Sequence, residues 1–454
     1  MKPWAVVLLL SVLLSACTVG PNYHRPSVDV PANYRNTENS AAASLGDQKW
    51  ENVFKDEELQ KLIRAALQNN FDVRIAGSRI LQAQAQLGIT RANQFPQVSA
   101  GPGYLAEKIP GFAFNVIELQ ALFSFNFDFW GQYRRATEAA RATLLGEEWA
   151  QREVISTLIS SVASAYFQLR ELDLELQIAQ RTLASRKESL GLTETLERGG
   201  AVGLLDVRQA QQLVETAAET IPETERQVSI QEDLLSTLMG ENPHEIPRGR
   251  ALTEQPLPAA VPAGLPSELL ERRPDIRQAE QQLIAANAQI GVARAQFFPS
   301  LPLTGQFGVE SQTLAHLLMP GSTAWMFSTP LTQPIFEAGR LKANYRLAKA
   351  DQQQMLLTYQ QTIQTAFRQV SDALISFTKY REFREHQDAL AVAAQSAANL
   401  SEMRYRGGAA SYLEVLTNET NYFAAQLNLA RAQLNERLSL VQLYNTLGGG
   451  WEQP

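Results

Sequence analysis

The residue with the clearest chemical signal is the only cysteine of the chain, Cys17. The apolar run Trp4–Leu14 near the amino terminus has the composition of a secretory signal. It ends in Leu14-Ser15-Ala16 directly before the cysteine, the pattern at which the thiol of a bacterial lipoprotein is acylated. We therefore predict that residues 1–16 are a signal peptide and that Cys17, as the mature amino terminus, carries covalent lipid.

The residues around Cys17 also indicate a compartment. The apolar run is shorter than the roughly 20 residues of a membrane-spanning helix, which disfavours the alternative of an amino-terminal anchor helix. Thr18 stands where an aspartate would retain a lipoprotein in the inner membrane, so the sequence favours the outer membrane. A single cysteine excludes a disulfide within the chain.

No second set of residues has the spacing of an active site or a metal site. The sequence contains no phosphate-binding loop, no GxSxG and no HExxH, so we predict no catalysis, no cofactor and no bound metal. The formal charge of −7 disfavours nucleic acid as a partner. The four histidines are scattered along the chain, at His24, His244, His316 and His386.

An internal duplication organises the rest of the chain. Residues 72–96 and 275–299 align at a constant offset, and 11 of the 25 pairs are identical. Solenoid units contain only ~20–50 residues, so this longer repeat predicts two copies of a larger module. The predicted segments are a lipidated amino-terminal segment over 17–55, repeat 1 over 56–240, a linker over 241–266, repeat 2 over 267–448 and a tail over 449–454.

A change of period inside each copy predicts β-strands. Aromatic residues at Phe123, Phe125, Phe127 and Phe129 alternate with polar residues at Ser124, Asn126 and Asp128. Alternate residues share a strand face, so we expect the aromatic face toward lipid and the polar face toward a lumen. The predicted strands cover about 95–107, 114–129, 298–310 and 323–336. One such strand alone is also compatible with a soluble sandwich.

Four strands do not close a barrel, because the smallest closed barrels need about eight. An open sheet edge is not viable in lipid. If these strands lie in a membrane, several chains must therefore share one barrel.

Segments without proline predict very long helices over 131–198 and 339–406. In the first, Val162, Leu169, Leu176, Leu183 and Leu190 form one heptad row, and Leu158, Ala165, Leu172 and Ala179 form a second. Two apolar rows with this spacing are typical of a coiled coil.

Each long helix is followed by two glycines, Gly199 and Gly200 or Gly407 and Gly408, and by a return helix over 204–239 or 411–447. Glycine just after a helix favours reversal of the chain, so each pair of helices is predicted to form an antiparallel hairpin. Pro222 is expected to bend or break the first return helix.

The order of several sequence motifs resembles one family over nearly all of the mature chain. The motifs are Cys17-Thr18-Val19-Gly20-Pro21-Asn22-Tyr23, Trp50 with Phe54-Lys55-Asp56, Arg273-Pro274-Asp275-Ile276, Phe298-Pro299 and Arg404-Tyr405-Arg406-Gly407. In these motifs the chain is similar to the TolC-like outer-membrane factors, in particular to their lipoprotein (NodT/OprM-type) branch. The resemblance implies an α+β membrane protein. Three chains would share a 12-stranded barrel, continued by a periplasmic coiled-coil barrel.

The resemblance also implies a function and partners. The expected function is passive conduction of small molecules across the outer membrane, from an inner-membrane pump and a periplasmic adaptor (membrane fusion protein) to the exterior. The pump expected for this branch is of the resistance-nodulation-division type. Export of protein in a type I secretion system is the alternative within the family. A periplasmic adaptor is disfavoured because it has only one hairpin, and a purely structural coiled-coil lipoprotein would not need the aromatic alternation.

The resemblance further implies an aperture at the hairpin ends. In relatives, the second return helix carries a leucine, an aspartate and an arginine that constrict the pore. Leu413 matches the leucine, whereas Thr417 and Thr420 occupy the positions of the acid and the base. Asp206 and Arg208 on the first return helix are further candidates, and the alternative for them is an ordinary solvated helix surface.

Overall fold

The structure is a computed structural model that describes residues 18–35, 43–258 and 261–451. The predicted signal peptide, the predicted lipidation site Cys17 and residues 452–454 of the predicted tail lie outside the described residues.

Both copies of the repeat contain the same order of elements: a helix, two strands, a long helix and a return helix. In the first copy these are α3 (Phe71–Ala92), β1 (Gln97–Ile109), β2 (Phe112–Asn126), α4 (Gln132–Arg198) and α5 (Leu204–Leu238). In the second copy they are α7 (Pro274–Ala295), β3 (Pro302–Ser311), β4 (Thr323–Ser328), α8 (Arg340–Arg406) and α9 (Tyr412–Thr446). The short helix α1 (Trp50–Val53) precedes the first copy, and a shorter helix begins each copy: α2 (Glu57–Asn69) in the first and α6 (Pro266–Arg272) in the second. Equivalent helices have equal lengths of 22, 67 and 35 residues.

The chain divides into two compact units, and each unit takes segments from both copies. The first unit contains the described residues up to Val28, together with Ser78–Trp149 and Gln278–Thr362. The second contains the described residues of Asp29–Gly77, Ala150–Arg277 and Ile363–Pro454. The sheet belongs to the first unit, and the two helical hairpin ends belong to the second.

The four strands form one antiparallel sheet in the order β1-β2-β3-β4. Strand β4 ends at Ser328, which makes it shorter than the predicted 323–336. Pro330 and Pro334 account for the difference because proline has no N–H to donate to a neighbouring strand. Strand β2 ends at Asn126 and not at the predicted residue 129, so the prediction that Phe127, Asp128 and Phe129 lie on the two faces of the strand is wrong. The carboxylate of Asp128 instead accepts the backbone N–H groups of Tyr133 and Arg134 at the start of α4.

The two faces of the sheet differ in polarity. Directly opposed residues of paired strands share a face. One face collects Val98, Ala100 and Pro102 of β1, Leu119, Ala121, Phe123 and Phe125 of β2, Leu303, Phe307 and Val309 of β3, and Trp325 and Phe327 of β4. Over the same part of the sheet the other face is mostly polar: it collects Gln97, Ser99, Glu118, Gln120, Ser124, Thr304, Gln306, Glu310 and Ser328, together with the apolar Leu122 and Met326. Past the end of β2, the ring of Phe127 contacts those of Phe125 and Phe129, with centroids 4.9 and 5.5 Å apart.

Within the second unit, one of the two predicted heptad rows of α4 is buried throughout. Leu158, Ala165, Leu172 and Ala179 are all buried, and the same row continues through Arg186 and Thr193, which are also buried. The other row is buried only at Val162 and Leu169, while Leu176, Leu183 and Leu190 are half-buried. A nearly straight helix drifts by about 20° per heptad, so two heptad rows do not both stay in the interior over this length.

Pro222 does not interrupt α5, which is continuous from Leu204 to Leu238. This finding corrects the expectation of a break. Ala217 and Thr224 on either side of the proline are buried, and Ile221 packs against an apolar cluster that contains Phe423. We attribute the continuity to this packing, which offsets the one backbone hydrogen bond that proline removes.

Candidate functional site

The first hairpin turns at the predicted glycine pair, in the second unit. Gly200 has a φ of +72°, a conformation that favours glycine. Its N–H donates to the carbonyl of Glu197 at 2.8 Å, and the N–H of Ala201 donates to the carbonyl of Leu196 at 2.9 Å. These two bonds form a Schellman motif, which satisfies the last carbonyls of α4 and redirects the chain into α5.

The second hairpin turns in the same way at Gly408, where φ is +71°. The N–H of Gly408 donates to the carbonyl of Tyr405 at 2.9 Å, and that of Ala409 donates to Arg404 at 2.8 Å. Beyond this turn, Arg404 also forms an ion pair with Glu414 at 3.1 Å, which links the end of α8 to the start of α9.

The ends of the two hairpins pack against each other through an apolar cluster, here called the tip cluster. Its buried members are Ala210 and Leu213 of α5, Tyr405 of α8, and Tyr412 and Val415 of α9. Leu190, Leu196, Val202 and Leu416 pack around it. Both Gly-Gly turns therefore lie at one end of a single packed group of four helices.

The predicted aperture residues on α9 point away from the tip cluster. The side chain of Leu413 is 57% exposed, and Leu205, its equivalent in the first copy, is 68% exposed. Thr417 and Thr420 are also exposed, and their hydroxyls donate to the carbonyls of Leu413 and Leu416, at 2.8 and 2.7 Å. An exposed leucine, with two threonines at the positions of the acid and the base, can narrow an aqueous passage without an ion pair at those positions.

The two predicted charges on α5 have different surroundings. Asp206 accepts a hydrogen bond from the hydroxyl of Tyr405 on α8, with an O···O distance of 3.4 Å. Burial, together with the negative charge of Asp206, raises the pKa of Tyr405 to about 12, so the phenol stays protonated and donates. Arg208 is exposed and donates to Gln211 of its own helix at 2.7 Å, so it does not link the hairpins.

Tyr405 was not among the residues predicted for the aperture, although it contacts one of them, Asp206. It lies in the motif Arg404-Tyr405-Arg406-Gly407, but its equivalent in the first copy is Glu197, so the duplication offers no second example. Tyr405 and Asp206 are 199 residues apart in the sequence. Only the packing of the two hairpins brings them into contact.

Within the described ranges, no three histidine, cysteine, aspartate or glutamate side chains are grouped so as to hold a metal ion. Over the same ranges, the helices do not combine the length and the apolar composition needed to cross a membrane.

Comparison with known proteins places this architecture in a family. The family model described as "Outer membrane efflux protein" matches residues 62–241 and 265–449. The chain is 34% identical over 451 residues to the "Cation efflux system protein CusC" of Escherichia coli O6:H1, covering 98% of each chain. It is 36% identical over 455 residues to the "Toluene efflux pump outer membrane protein TtgC" of Pseudomonas putida, covering 97% of this chain and 94% of the relative.

Solved structures agree. The open-state crystal structure of the outer-membrane channel MtrE of Neisseria gonorrhoeae matches with a TM-score of 0.88 at 32% identity. The match covers 96% of this chain and 99% of that one. The predicted fold class, function and location are confirmed: the protein is an outer-membrane efflux channel that extends into the periplasm. The chain belongs to the outer membrane efflux protein family.

Proposed function

We propose that three copies of the chain form one channel, in which each copy contributes its four strands to a shared 12-stranded barrel. The separation of an apolar from a polar face supports this arrangement, because lipid-facing and lumen-facing residues alternate in a membrane barrel. Strands β1 and β4 are the outer strands of the sheet, and pairing between copies would satisfy their free edges. The channel conducts passively and performs no catalytic step.

We further propose small molecules as the cargo, delivered by an inner-membrane pump through a periplasmic adaptor. The support is the names of the relatives, which include a cation efflux system protein and a toluene efflux pump protein. A pump of the resistance-nodulation-division type is the partner that the TolC-like resemblance implies. Protein export remains the alternative, and loss of resistance to small toxic compounds after deletion of the gene would separate the two.

The periplasmic end of the channel is closed, in our proposal, by the packed hairpin ends. The observation that carries this proposal is the contact between the hairpins: the tip cluster together with the bond from Tyr405 to Asp206. If α9 leaves the first hairpin, the exposed side chain of Leu413 moves with it. Closure then depends on apolar packing and on polar contacts between the hairpins, among them the phenol–carboxylate bond from Tyr405 to Asp206.

Single-channel conductance in planar bilayers tests this gate. Leu413→Ala is expected to raise the basal conductance because a smaller side chain narrows the passage less. Tyr405→Phe removes a bond with a net contribution of about 0.5–1.5 kcal/mol, so the ratio of open to closed channels should rise about two- to tenfold.

Thr417→Ala is the control, because its hydroxyl bonds only to its own helix. It should change the conductance little. Closure should also have little sensitivity to salt, because the tip cluster is apolar and buried contacts are screened only weakly. A Leu413→Ala channel as closed as the parent, or a closed state abolished by high salt, would contradict the proposed gate.

Lipid attachment to Cys17 is also part of the proposal, and the residues after it support the position of the anchor. The N–H of Val19 donates to the carbonyl of Trp130 at 3.0 Å, just past the end of β2. Gly20 approaches Gly291 so closely that a Cβ on Gly20 would lie 2.5 Å from the Cα of Gly291. Further along, Arg25 forms two bonds of 2.7 Å with Glu280. The segment thus holds Thr18, the neighbour of Cys17, beside the strand ends.

Mass spectrometry of the mature amino-terminal peptide is expected to find cleavage before Cys17 and acyl groups on that residue. The reason is the match of Leu14-Ser15-Ala16 to the acylation pattern, with no competing cysteine in the chain. Cys17→Ser is the control, and it should yield an unacylated protein. An unmodified Cys17 in the parent, or cleavage at another position, would refute lipidation.

A further inference from the structure

A charged residue occupies the buried heptad row of α4. The row that contains Leu172 and Ala179 continues seven residues later at Arg186, which is 3% exposed. On one side of Arg186 lies the tip cluster, and on the other lies an apolar cluster that contains Ile178, Ala179 and Phe423. A cation in such a position costs desolvation free energy that an apolar residue would not.

Arg186 connects three helices that belong to both hairpins. Its Nη1 donates to the carbonyl of Leu213 on α5 at 2.8 Å, and its Nη2 donates to the carbonyl of Glu419 on α9 at 3.1 Å. The guanidinium also lies over the ring of Phe423 on α9, 5.0 Å from the centroid. Both groups that it bonds are backbone carbonyls, so these contacts depend on where each helix lies along its axis.

The electrostatic surroundings of Arg186 indicate that its bonds to α5 and α9 fix the positions of these helices more than they add to the free energy of binding. Its Nε has no hydrogen-bond partner among the described residues. Burial is the main cause that lowers the pKa of Arg186 and raises the pKa of Glu419. Tyr412 is a further titratable group that acts on Arg186. Because burial offsets much of the Coulomb attraction, the contact contributes position more than binding energy.

The second copy does not repeat this device. The two long helices have equal lengths, so the position equivalent to Arg186 in α8 is Ala394. The first hairpin therefore contacts α9 through the side chain of Arg186, and the equivalent position of the second hairpin has no arginine that could make the matching contact. The asymmetry indicates a role that the coiled-coil packing common to both copies does not require.

We propose that Arg186 is a positioning residue that sets the axial register of α9 against the first hairpin and thereby holds Leu413 in the closing position. In coiled coils, a single buried polar residue at a core position fixes register at a cost in stability. Leu413 is six residues from Glu419, or about 9 Å along the helix. A slip of α9 by one residue would rotate Leu413 by about 100°. This inference rests on the proposed gate.

The test compares Arg186→Met with the control Lys187→Met, which removes a positive charge from the exposed neighbour. Two quantities are measured on assembled protein: hydrogen exchange of the peptide 412–423, and single-channel conductance. We expect Arg186→Met to accelerate exchange of this peptide and to raise the open probability, each by about fivefold or more, the lower end of typical coupling between sites. Lys187→Met should change neither quantity.

Arg186→Lys keeps the charge but loses the planar fork that reaches two carbonyls at once. Its exchange rate should lie between those of the parent and Arg186→Met, and it replaces Arg186→Met in the test if that variant does not assemble. If the peptide 412–423 exchanged hydrogen in Arg186→Met, or in Arg186→Lys, at the same rate as in the parent, the positioning role would be overturned. Faster exchange with an unchanged conductance would support the positioning role and refute the gate at Leu413.

Discussion

Replacement of Phe307 by lysine is expected to destabilise the barrel by about 2–4 kcal/mol per chain if the residue lies near the bilayer midplane. Phe307 is at the centre of β3, 61% exposed, between Ala121 of β2 and Trp325 of β4. All three residues belong to the apolar face of the sheet. A lysine on this face would have to bring its ammonium group into hydrocarbon or bend it toward the headgroups.

The adjacent residue provides a matched control. Gln306 lies on the polar face, opposite Leu122 and Met326, and differs from Phe307 by one position along the same strand. Gln306→Lys adds the same charge, but toward the proposed lumen, so it should alter ion selectivity while assembly stays normal. The measurement is the fraction of the protein that is trimeric in detergent-extracted outer membranes, identified as the species that dissociates on heating. If Phe307→Lys left the amount of trimer normal and Gln306→Lys abolished the trimer, the assignment of the two faces to lipid and lumen would have to be reversed.

The second large effect is expected in the second unit, where a buried carboxylate joins three separate segments. Asp56 is 1% exposed and caps α2 by accepting the N–H groups of Glu58 and Leu59. Its Oδ2 accepts from the hydroxyl of Tyr166 on α4 at 3.1 Å. The same oxygen accepts from the linker, through the N–H of Arg250 at 3.0 Å and the side-chain amide of Gln255 at 2.5 Å.

Asp56→Ala is expected to lower the free energy of unfolding by about 3 kcal/mol or more. Each buried donor left unsatisfied costs about 1–3 kcal/mol, and the helix cap contributes about 1 kcal/mol in addition. The control is Glu57→Ala, which removes an exposed carboxylate from the same first turn of α2. The measurement is the midpoint of thermal unfolding, followed by circular dichroism of the protein in detergent.

Gly249→Ala tests the same junction from the linker side. A Cβ at this position would lie 2.2 Å from Oδ1 of Asp56, so the linker would have to move. We expect its midpoint to fall in the same direction as that of Asp56→Ala. A midpoint for Asp56→Ala equal to that of Glu57→Ala would contradict the role assigned to this network.

Much of the fold was predictable because its signals are local or repetitive. Alternation along β2 identified the aromatic face, since side chains two residues apart always share a face. The glycine pairs identified both hairpin turns, because a positive φ at Gly200 and Gly408 is a property of one residue in one turn. The duplication indicated that both copies would contain the same elements, because equivalent sequences favour equivalent structures.

Contacts between distant segments were decided only by the tertiary structure. The sequence gives no indication that Tyr405 meets Asp206, because the pairing depends on how two hairpins pack. The same holds for Arg186. In the sequence alone it is no more than an interruption of an apolar heptad row, whereas in the structure it contacts α5 and α9. The continuity of α5 at Pro222 likewise depends on packing, which outweighs a local preference of the chain. Local rules therefore determined the elements of this protein. The free energy of packing among non-adjacent segments determined which side chains meet at the candidate gate.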